Sequence, residues 1–439
     1  MRILSDKVAD YIGKEITISG WLHKKRLLGG LTFILVRDRK GVTQVLVEDK
    51  NEVKKLSGMQ LGTVMSITGT VSEDKRAPGG AEIHEPKIEI ISPVEAVSPI
   101  EIDKPIDHNP ENFDTLFDNR VVNLRNLTEQ GIFKIQAQIC KSIREYFDEH
   151  EFTEIHTPKL NAEATEGGSE VFKLDYFGKE ATLAQSPQFY KQIMVGVFER
   201  VYEIAPVFRA EPSATTRHMT EYISVDGEIG YLNDFRELLN FLSGLINKVV
   251  DDVWENHQEA VNKLQAKKPK LLPEFPMITL NDLHELYFKD TGEDTRNEKD
   301  PTPAEERWVS EYSKKKYNCE AIYVIDFPTG HDMGFKFYHR ANKDNPKIAD
   351  RADLIFGGIE IITTSMREHR YKKLVEQLKE MGGDPNAPGF QAILDTMKYG
   401  MPPHGGFGLG LERLTEKILG LNNIRETTLF PRDINRLTP

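Results

Sequence analysis

Arginines and carboxylates are concentrated in residues 207–228, where two apolar runs flank a polar loop. Arg209 follows the first run, Glu211 lies two residues later, and the loop contains Arg217 and His218. Guanidinium groups bind phosphate oxygens bidentately, so this set of side chains suits a nucleoside triphosphate. An isolated segment of this kind is more often a surface hairpin with ion pairs, and the residues alone leave both interpretations open.

A second candidate segment, residues 405–414, has glycine at every second position: Gly406, Gly408 and Gly410. It is not a dinucleotide-binding fingerprint, because no βαβ unit with a ribose-binding acid surrounds it. The glycines instead let the backbone approach a ligand closely, and Arg413 follows at the start of a helix, where a phosphate group is stabilised. The segment therefore predicts a second contact with phosphate.

Two carboxylates precede this segment, because Asp353 and Glu360 lie seven residues apart on either side of a Gly-Gly pair. Mg²⁺ binds to carboxylate oxygens together with the phosphates of a nucleotide, so this pair could hold Mg²⁺ beside a triphosphate. Two solvated surface acids are the commoner outcome for such a pair, and that alternative also stays open.

The composition is typical of a globular protein without a disulfide framework. The 439 residues are 39% hydrophobic and 29% charged, which excludes a disordered chain, and the two cysteines, Cys140 and Cys319, lie far apart outside any CxxC motif. No run of about 18 apolar residues is present, and the N-terminus carries charges where a signal peptide is apolar. We therefore expect a cytoplasmic protein without a membrane partner.

The charge distribution is uneven along the chain. The net charge of −12, from 57 Lys and Arg against 69 Asp and Glu, excludes a uniformly basic nucleic-acid binder. Residues 21–40 nevertheless contain six basic side chains against Asp38 alone. A polyanionic partner would explain this concentration, and a solvated charged hairpin would explain it equally well on charge alone.

The elements that position these residues fall into three segments. Residues 1–100 contain five short alternating segments separated by turns, with a short helix before the fourth, which predicts an OB-type β-barrel, a fold that binds oligonucleotides. Residues 101–130 are rich in Pro, Asp and Asn and predict a hinge or linker. Apolar residues at helical spacing from Ile132 to Phe147 predict an amphipathic helix that opens a domain over 131–439, with a mostly helical insertion at 242–315.

The order of the motifs is more specific than any one of them. Residues 152–158 (FTEIHTP), 208–211 (FRAE) and 406–413 (GFGLGLER) follow one another as in class II aminoacyl-tRNA synthetases, and the N-terminal barrel is typical of the subgroup for Asp, Asn and Lys. Over essentially its whole length the sequence resembles the archaeal-type aspartyl-tRNA synthetases. The resemblance is most specific in 185–192 (QSPQFYKQ), in 399–406 (YGMPPHGG) and in the ending LFPRD…RLTP.

The resemblance implies an α+β protein with a five-stranded OB-fold barrel and a class II catalytic domain. The catalytic domain would be a six-stranded antiparallel sheet flanked by helices and used as a homodimer. The implied reaction activates L-aspartate with ATP and Mg²⁺ to aspartyl-adenylate and transfers the aspartyl group to tRNA(Asp). Such catalysis is mainly positioning and charge neutralisation.

Carried onto this sequence, the resemblance assigns the two catalytic roles to arginines. Arg209 would bind the α-phosphate and stabilise the transition state, and Arg413 would hold the γ-phosphate with help from Arg217 and His218. Asp353 and Glu360 would hold Mg²⁺. The further expected contacts of ATP are Glu211 and Tyr222 at the adenine, Glu360, Gly408 and Gly410.

For the amino acid, the resemblance places Lys191 and Arg367 on the β-carboxylate, where the related asparaginyl enzymes generally have Glu in place of Lys191. A buried Lys–Arg pair without a counter-anion would be costly, which favours an acidic ligand. The α-ammonium group would be held by Glu166, Gln188 and Asp226.

One segment departs from the family pattern near the second magnesium ligand. Thr363 still offers a hydroxyl group to the amino acid site. Thr364 replaces a glycine of the family, and the sequence therefore predicts a β-branched side chain beside the substrate.

In the barrel, Phe33 and Gln44 match the family's anticodon readers, Phe33 by stacking and Gln44 by hydrogen bonding. In an arbitrary OB barrel Phe33 would sooner be a core residue. Members that charge only tRNA(Asp) tend to have Trp at the position of His23 and Lys at that of Pro78, so these two residues predict an enzyme that also charges tRNA(Asn). A strict aspartyl-tRNA synthetase and an asparaginyl-tRNA synthetase are the alternatives.

Overall fold

The first compact unit of the chain ends at Gln130 and the second begins at Gly131. The computed structural model describes residues 2–106, 109–162, 170–212, 215–330 and 334–438. Across these ranges, none of the helices has the length and the apolar character needed to cross a membrane.

The first unit is built on a closed barrel of five strands in the order β1-β2-β3-β5-β4. Alternate residues point inward, so that Ile34, Val45 and Ile67 are fully buried in one core. The five-stranded OB-type barrel predicted from the sequence is confirmed. Its elements are β1 (Glu15–Leu28), β2 (Leu31–Arg37), β3 (Val42–Val47), α1 (Lys50–Gly58), β4 (Val64–Glu73) and β5 (Ala81–Ser92).

The segment after the barrel, 101–130, contains helices. Two of them, α2 (Phe113–Asp118) and α3 (Arg120–Asn123), precede the long α4 (Leu127–Glu149). Phe113 and Phe117 stack with ring centroids 5.7 Å apart. The guanidinium group of Arg120 pairs with Glu129 at 3.0 Å, and both side chains are almost fully buried.

The second unit contains an eight-stranded sheet in the order β12-β13-β14-β15-β16-β11-β10-β6. The six central strands are antiparallel, as the family resemblance implied, but β12 and β6 add a short parallel strand at each edge. These two strands are only two or three residues long, too short to give a periodic signal in the sequence. The strands are β6 (Thr153–Glu154), β10 (Arg200–Phe208), β11 (Glu221–Gly230), β12 (Met277–Thr279), β13 (Ala321–Ile325), β14 (Arg351–Phe356), β15 (Ile359–Met366) and β16 (His404–Gly410).

A small three-stranded sheet, β7-β9-β8, lies beside this large sheet. It is formed by β7 (Leu160–Asn161), β8 (Lys173–Tyr176) and β9 (Lys179–Leu183). The backbone N–H of Phe208, at the end of β10, donates to the carbonyl of Ala184 just after β9 at 2.9 Å. This bond holds the small sheet next to the segment that contains Arg209.

Helices cover both faces of the large sheet. Tyr323 and Leu354 point to the face covered by α4 and α6, whereas Ile322 and Ile355 point to the face covered by α8 and α9. Residues 242–315 therefore include helices that pack on the sheet and one of its edge strands. The remaining helices are α5 (Gln188–Phe198), α6 (Phe235–Asn256), α7 (Gln258–Lys263), α8 (Leu280–Thr291), α9 (Pro303–Tyr317), α10 (Tyr371–Glu380), α11 (Pro388–Lys398) and α12 (Leu411–Leu419).

A glycine in β4 gives a test of the barrel packing. A Cβ at Gly69 would lie 2.5 Å from the backbone oxygen of His84 and 2.6 Å from a methyl group of Ile83. We expect Gly69→Ala to destabilise the first unit by about 1–3 kcal/mol, measured by chemical denaturation, because backbone atoms cannot move aside. Gly58→Ala at the end of α1 is the control, because nothing lies within 4 Å of its Cβ position. Equal stabilities of the two variants would contradict this account.

Candidate functional site

A cavity of about 470 Å³ opens in the second unit on the face of the sheet that α9 covers. It is lined by residues of α5, β11, β14, β15, β16 and α12, and by loops that include the one between β10 and β11. The predicted site residues that line it are Gln188, Lys191, Arg209, Glu211, Arg217, His218, Tyr222, Asp226, Glu360, Thr363, Arg367, Gly408, Gly410 and Arg413. Asp353 lines an adjoining cavity of about 570 Å³, whereas Glu166 lies outside the described residues.

Two arginines at one end of the cavity are held by neighbouring groups. The guanidinium group of Arg209 lies 5.8 Å from the ring centroid of Tyr222 and 3.6 Å from the Glu211 carboxylate. The Nη1 atom of Arg413 donates to the backbone oxygen of Glu360 at 2.9 Å. A guanidinium group carries a positive charge and five N–H donors, so two of them make this end of the cavity suited to an anionic ligand.

Arg217 is held by an acid that the sequence did not single out. Its guanidinium group donates to Glu306 in the first turn of α9. His218, the next residue, has its Nδ1 atom 2.7 Å from the hydroxyl of Thr215. Burial lowers the pKa of His218, and the positive charge of Arg413 lowers it further. His218 is therefore suited to act as a neutral hydrogen-bonding group near neutral pH.

The two predicted metal ligands face each other across β14 and β15. The hydroxyl of Thr363, which lies opposite Asp353 in the strand register, donates to Glu360 at 2.9 Å. Burial raises the pKa of Asp353, with Arg351 opposing this shift and Glu360 adding to it. The pKa of Glu360 is lowered, because Arg413 and the Thr363 hydroxyl outweigh the effect of burial.

This carboxylate pair fits a divalent cation. Within the described ranges, Oδ1 of Asp353 is buried without a hydrogen-bond partner. No group of three or more metal-ligating side chains occurs among the described residues. Mg²⁺ usually takes one or two carboxylates and completes its shell with water and substrate phosphates, so two ligands are sufficient.

The other end of the cavity contains a buried cluster of four charges. The Nζ atom of Lys191, in α5, donates to Asp226 and to the backbone oxygen of Phe407, both at 2.7 Å. Arg367, just after β15, donates to the two oxygens of Glu228 at 2.8 and 3.2 Å. We call these four residues the charge quartet.

The quartet corrects one argument from the sequence. Lys191 and Arg367 were expected to lack a counter-anion and to require an acidic ligand for that reason. That expectation is wrong, because Asp226 and Glu228 neutralise them. The signal was available, since residues 226 and 228 alternate on one strand and therefore point to the same face.

A second correction concerns Thr364. It was expected beside the substrate, but the cavity is lined by Thr363, and the buried hydroxyl of Thr364 donates to the backbone oxygen of Gly406 at 3.0 Å. Successive residues of a strand point to opposite faces, so only one of the two threonines can face the site.

Gln188 has a donor available for a ligand. It lies in the first turn of α5 and lines the cavity. In the part of the chain that the structure describes, its buried Nε2 atom has no hydrogen-bond partner. A ligand carboxylate or carbonyl at this point would satisfy that donor.

An acid from the segment before α9, Asp300, also reaches the site, which sequence reasoning missed. Asp300 pairs with Arg351 at 2.9 Å, and Arg351 also donates to Asp353 at 3.0 Å. The Asp300–Arg351 pair joins residues about 50 positions apart, and Asp300 lies in a stretch without a recognisable motif, so no local signal marked it.

In the barrel, the predicted anticodon readers lie on the outer face. Phe33 pairs with Leu46 and Leu35 pairs with Gln44, whereas the alternate residue Ile34 fills the core. Phe33 is half-buried and is not part of the barrel core, so packing in the core does not explain this aromatic residue. The side-chain amide of Gln44 donates to Glu82 at 2.7 Å.

The other two predicted positions in the barrel differ in exposure. His23 is 7% exposed and lies at an irregularity in β1 between Leu22 and Lys24. Pro78 is exposed in the turn between β4 and β5 and offers no N–H group.

Comparison with known proteins identifies the family. Residues 112–434 match the tRNA synthetases class II (D, K and N), and residues 16–91 match the OB-fold nucleic acid binding domain. The chain belongs to the class II tRNA synthetases.

Individual relatives extend over the full length. The chain is 39% identical to the Aspartate–tRNA(Asp/Asn) ligase of Thermus thermophilus, with 100% of each chain covered, and 38% identical to the Aspartate–tRNA(Asp) ligase of Thermococcus kodakarensis, with 97% of each covered. The solved asparaginyl-tRNA synthetase of Pyrococcus horikoshii with asparaginyl-adenylate has a TM-score of 0.90, 29% identity and 100% coverage of both chains.

The two neighbouring threonines give a matched test of the site. We expect Thr363→Val to raise the KM for ATP in pyrophosphate exchange about tenfold, because a hydrogen bond to a charged group is worth about 1.5–3 kcal/mol. Thr364→Val should keep that KM and lose about 1 kcal/mol of stability with its buried hydrogen bond. The reverse pattern would mean that Thr364 faces the ligand.

A buried acid in α12 predicts a pH-dependent stability. Burial raises the pKa of Glu412 from 4.5 to about 8, although the Ile223 N–H donates to both of its oxygens. Because folding raises this carboxyl pKa, the stability that protonated Glu412 contributes is fully present below the pKa of the unfolded chain. It is lost as the pH rises toward 8. Glu412→Gln should therefore be more stable than the wild type at pH 8, by on the order of 2 kcal/mol, and much closer to it at pH 4.5. Denaturation at both pH values, with the exposed Glu376→Gln as control, measures this difference.

Proposed function

We propose that this chain is an aspartate–tRNA ligase that charges tRNA(Asp) and also tRNA(Asn). The observation that carries the proposal is a cavity with the charge quartet at one end and arginines at the other, where Glu360 forms a carboxylate pair with Asp353 of the adjoining cavity. Such a cavity suits an amino acid and a nucleoside triphosphate side by side. The full-length relatives named aspartate–tRNA ligases support the choice of substrate.

Aspartate fits the charge quartet by exchange of partners. Its ammonium group would donate to Asp226 and to the side-chain oxygen of Gln188, with Glu166 also expected there. Its β-carboxylate would accept from Lys191 and Arg367. The ligand then brings one cation and one carboxylate to this end of the cavity, and the quartet stays neutral. Asparagine would bring the ammonium group without a β-carboxylate, so one buried positive charge at this end would lack a counter-ion.

The first chemical step is an in-line displacement. An oxygen of the aspartate α-carboxylate attacks the α-phosphorus of ATP, and the bond to the bridging oxygen of pyrophosphate breaks. Arg209 would donate to the α-phosphate oxygens as negative charge develops on them, while Arg413, Arg217 and His218 would hold the departing end. Tyr222 and Glu211 would flank the adenine, with the backbone at Gly408 and Gly410 close to the nucleotide.

Asp353 and Glu360 would hold Mg²⁺ against the phosphates. When bound, Mg²⁺ neutralises the charge of the polyphosphate. Thr363 keeps Glu360 oriented through its hydroxyl group, and Arg351 does the same for Asp353. These contacts fix the two carboxylates before ATP arrives.

In the second step, a terminal hydroxyl group of the tRNA attacks the aspartyl carbonyl and AMP leaves.

The anticodon would bind to the outer face of the barrel, where Phe33 would stack on the middle base and Gln44 would form a hydrogen bond to a base. His23 and Pro78 support relaxed reading of the third base, because neither offers the bulk of Trp or the donor of Lys. One hydrogen-bonded base contact is worth about 1–3 kcal/mol of discrimination. Action as a homodimer follows from the family resemblance.

The asparaginyl alternative rests on a specific likeness, the similarity in fold to the asparaginyl-tRNA synthetase of Pyrococcus horikoshii. Lys191 argues against it, since the side chain is anchored in the quartet at a position where asparaginyl enzymes generally have Glu. The higher identity to relatives named aspartate–tRNA ligases argues in the same direction.

Charging assays test the proposal with four combinations of substrates. Transcripts of tRNA(Asp) and tRNA(Asn) are each incubated with ATP and radiolabelled aspartate or asparagine. We expect aspartate on both tRNAs at rates within about tenfold of each other, corresponding to a difference of about 1.4 kcal/mol or less, and no asparagine on either. Aspartate on tRNA(Asp) alone would refute relaxed reading, and asparagine charging would refute the assignment of the amino acid site.

A further inference from the structure

The hairpin of β8 and β9, Lys173–Leu183, extends from the rim of the cavity, and we call it the rim hairpin. Its second strand leads directly into Gln185 and Ser186, which line the cavity. Residues 175–180 are all exposed, so both faces of the outer half of the rim hairpin meet solvent. The five residues of β9 span about 17 Å, which places the tip well outside the ATP site.

The tip presents an aromatic residue in an unfavourable backbone conformation. Phe177 is 91% exposed and has φ of 54°, and Gly178 after it has φ of 80°. Two central residues with positive φ are typical of a tight hairpin turn in which Asn, Asp or Gly is preferred at the first position. A phenylalanine at this position lowers the stability of the fold, because its Cβ clashes with the backbone at positive φ. It also leaves a large apolar ring in water.

A second aromatic ring lies beside Phe177 at the tip. Tyr176 is 46% exposed, and its ring meets that of Phe177 edge to face at a centroid distance of 4.9 Å. The charges of the rim hairpin balance, because it contains two lysines and two acids, and Lys173 pairs with Glu180 at 3.0 Å. Two rings are far smaller than the roughly 800 Å² per partner that a stable protein interface buries, but they match the face of one or two nucleobases.

We propose that Tyr176 and Phe177 stack on an unpaired base of the tRNA near its 3′ end. This inference rests on the proposed function, because transfer requires the tRNA terminus to enter the cavity from whose rim the hairpin extends. Stacking is tolerant of sequence, so the contact serves any tRNA that the enzyme charges. It helps to place the terminus for transfer and takes no part in activation of the amino acid.

The variant Phe177→Asn tests this proposal without risk to folding. Asn is favoured at this turn position, so the variant should be as stable as the wild type or more stable. We expect pyrophosphate exchange with aspartate, measured without tRNA, to be unchanged. We expect kcat/KM for charging a tRNA(Asp) transcript to fall roughly 5- to 150-fold, the loss of one stacked base. Phe177→Tyr, which keeps a ring, should stay close to the wild type.

Tyr231→Asn is the matched control. Tyr231 is also an exposed aromatic residue with positive φ, 63% exposed and φ of 59°, but it follows the end of β11 remote from Tyr222. This variant should charge tRNA(Asp) as the wild type does. An equal loss in this control would overturn the proposal, because the effect would then belong to any exposed aromatic residue.

The other possible outcomes of these experiments also decide whether the proposal holds. Unchanged charging by Phe177→Asn, or a parallel loss in pyrophosphate exchange, would overturn the proposal. A change in subunit association, measured by sedimentation velocity, would assign the tip to a second copy of the chain instead. If the wild-type protein charges no tRNA with aspartate, the proposed function fails, whereas charging that Phe177→Asn leaves intact refutes only the role of the rim hairpin.

Discussion

The charge quartet is the interaction on which the rest of the catalytic unit depends. Its members come from α5, β11 and the end of β15, so the sheet register and the position of α5 must both be correct for the charges to meet. All four side chains are at most 5% exposed, and a single unpaired charge at that depth would cost several kcal/mol. The burial of Arg367 acts to lower its pKa, but Glu228 outweighs that effect and the pKa is raised. The quartet is thus a strong constraint on how these elements pack.

The glycines of β16 are a consequence of this constraint. A Cβ at Gly406 would overlap the carboxylate of Glu228, whereas a Cβ at Gly408 would lie 3.5 Å from Asp226 at the edge of the cavity. The alternation of glycine along one strand therefore has two causes. One glycine makes room for a buried carboxylate of the protein, and the next leaves room for a ligand. The pattern in the sequence indicated close approach of the backbone correctly but could not distinguish these two causes.

Local patterns in the sequence were sufficient to predict most of the scaffold and the arginines of the site. Alternation of apolar residues located the five barrel strands, and helical spacing located α4. The motifs around Arg209 and Arg413 located residues that line one cavity. The counter-ions were harder to predict, because Glu306 and Asp300 meet Arg217 and Arg351 only through the packing of α9 on the sheet. The roles of Thr363 and Thr364 were also hard to predict, because they depend on which face of β15 meets the cavity. A shift of the strand register by one residue would exchange the two faces.

The ion pairs inside the cavity bear on how substrates would bind. Arg217 is paired with Glu306, Arg351 with Asp300, and the quartet is internally neutral. A ligand that entered such a site would exchange partners with charges that are already balanced, so the net Coulomb gain is modest. Selectivity must then arise from whether each ligand charge finds a donor or acceptor in the correct place. A substrate that left one quartet member unpaired would meet the full desolvation cost of that charge, which favours a ligand whose charges complement all four.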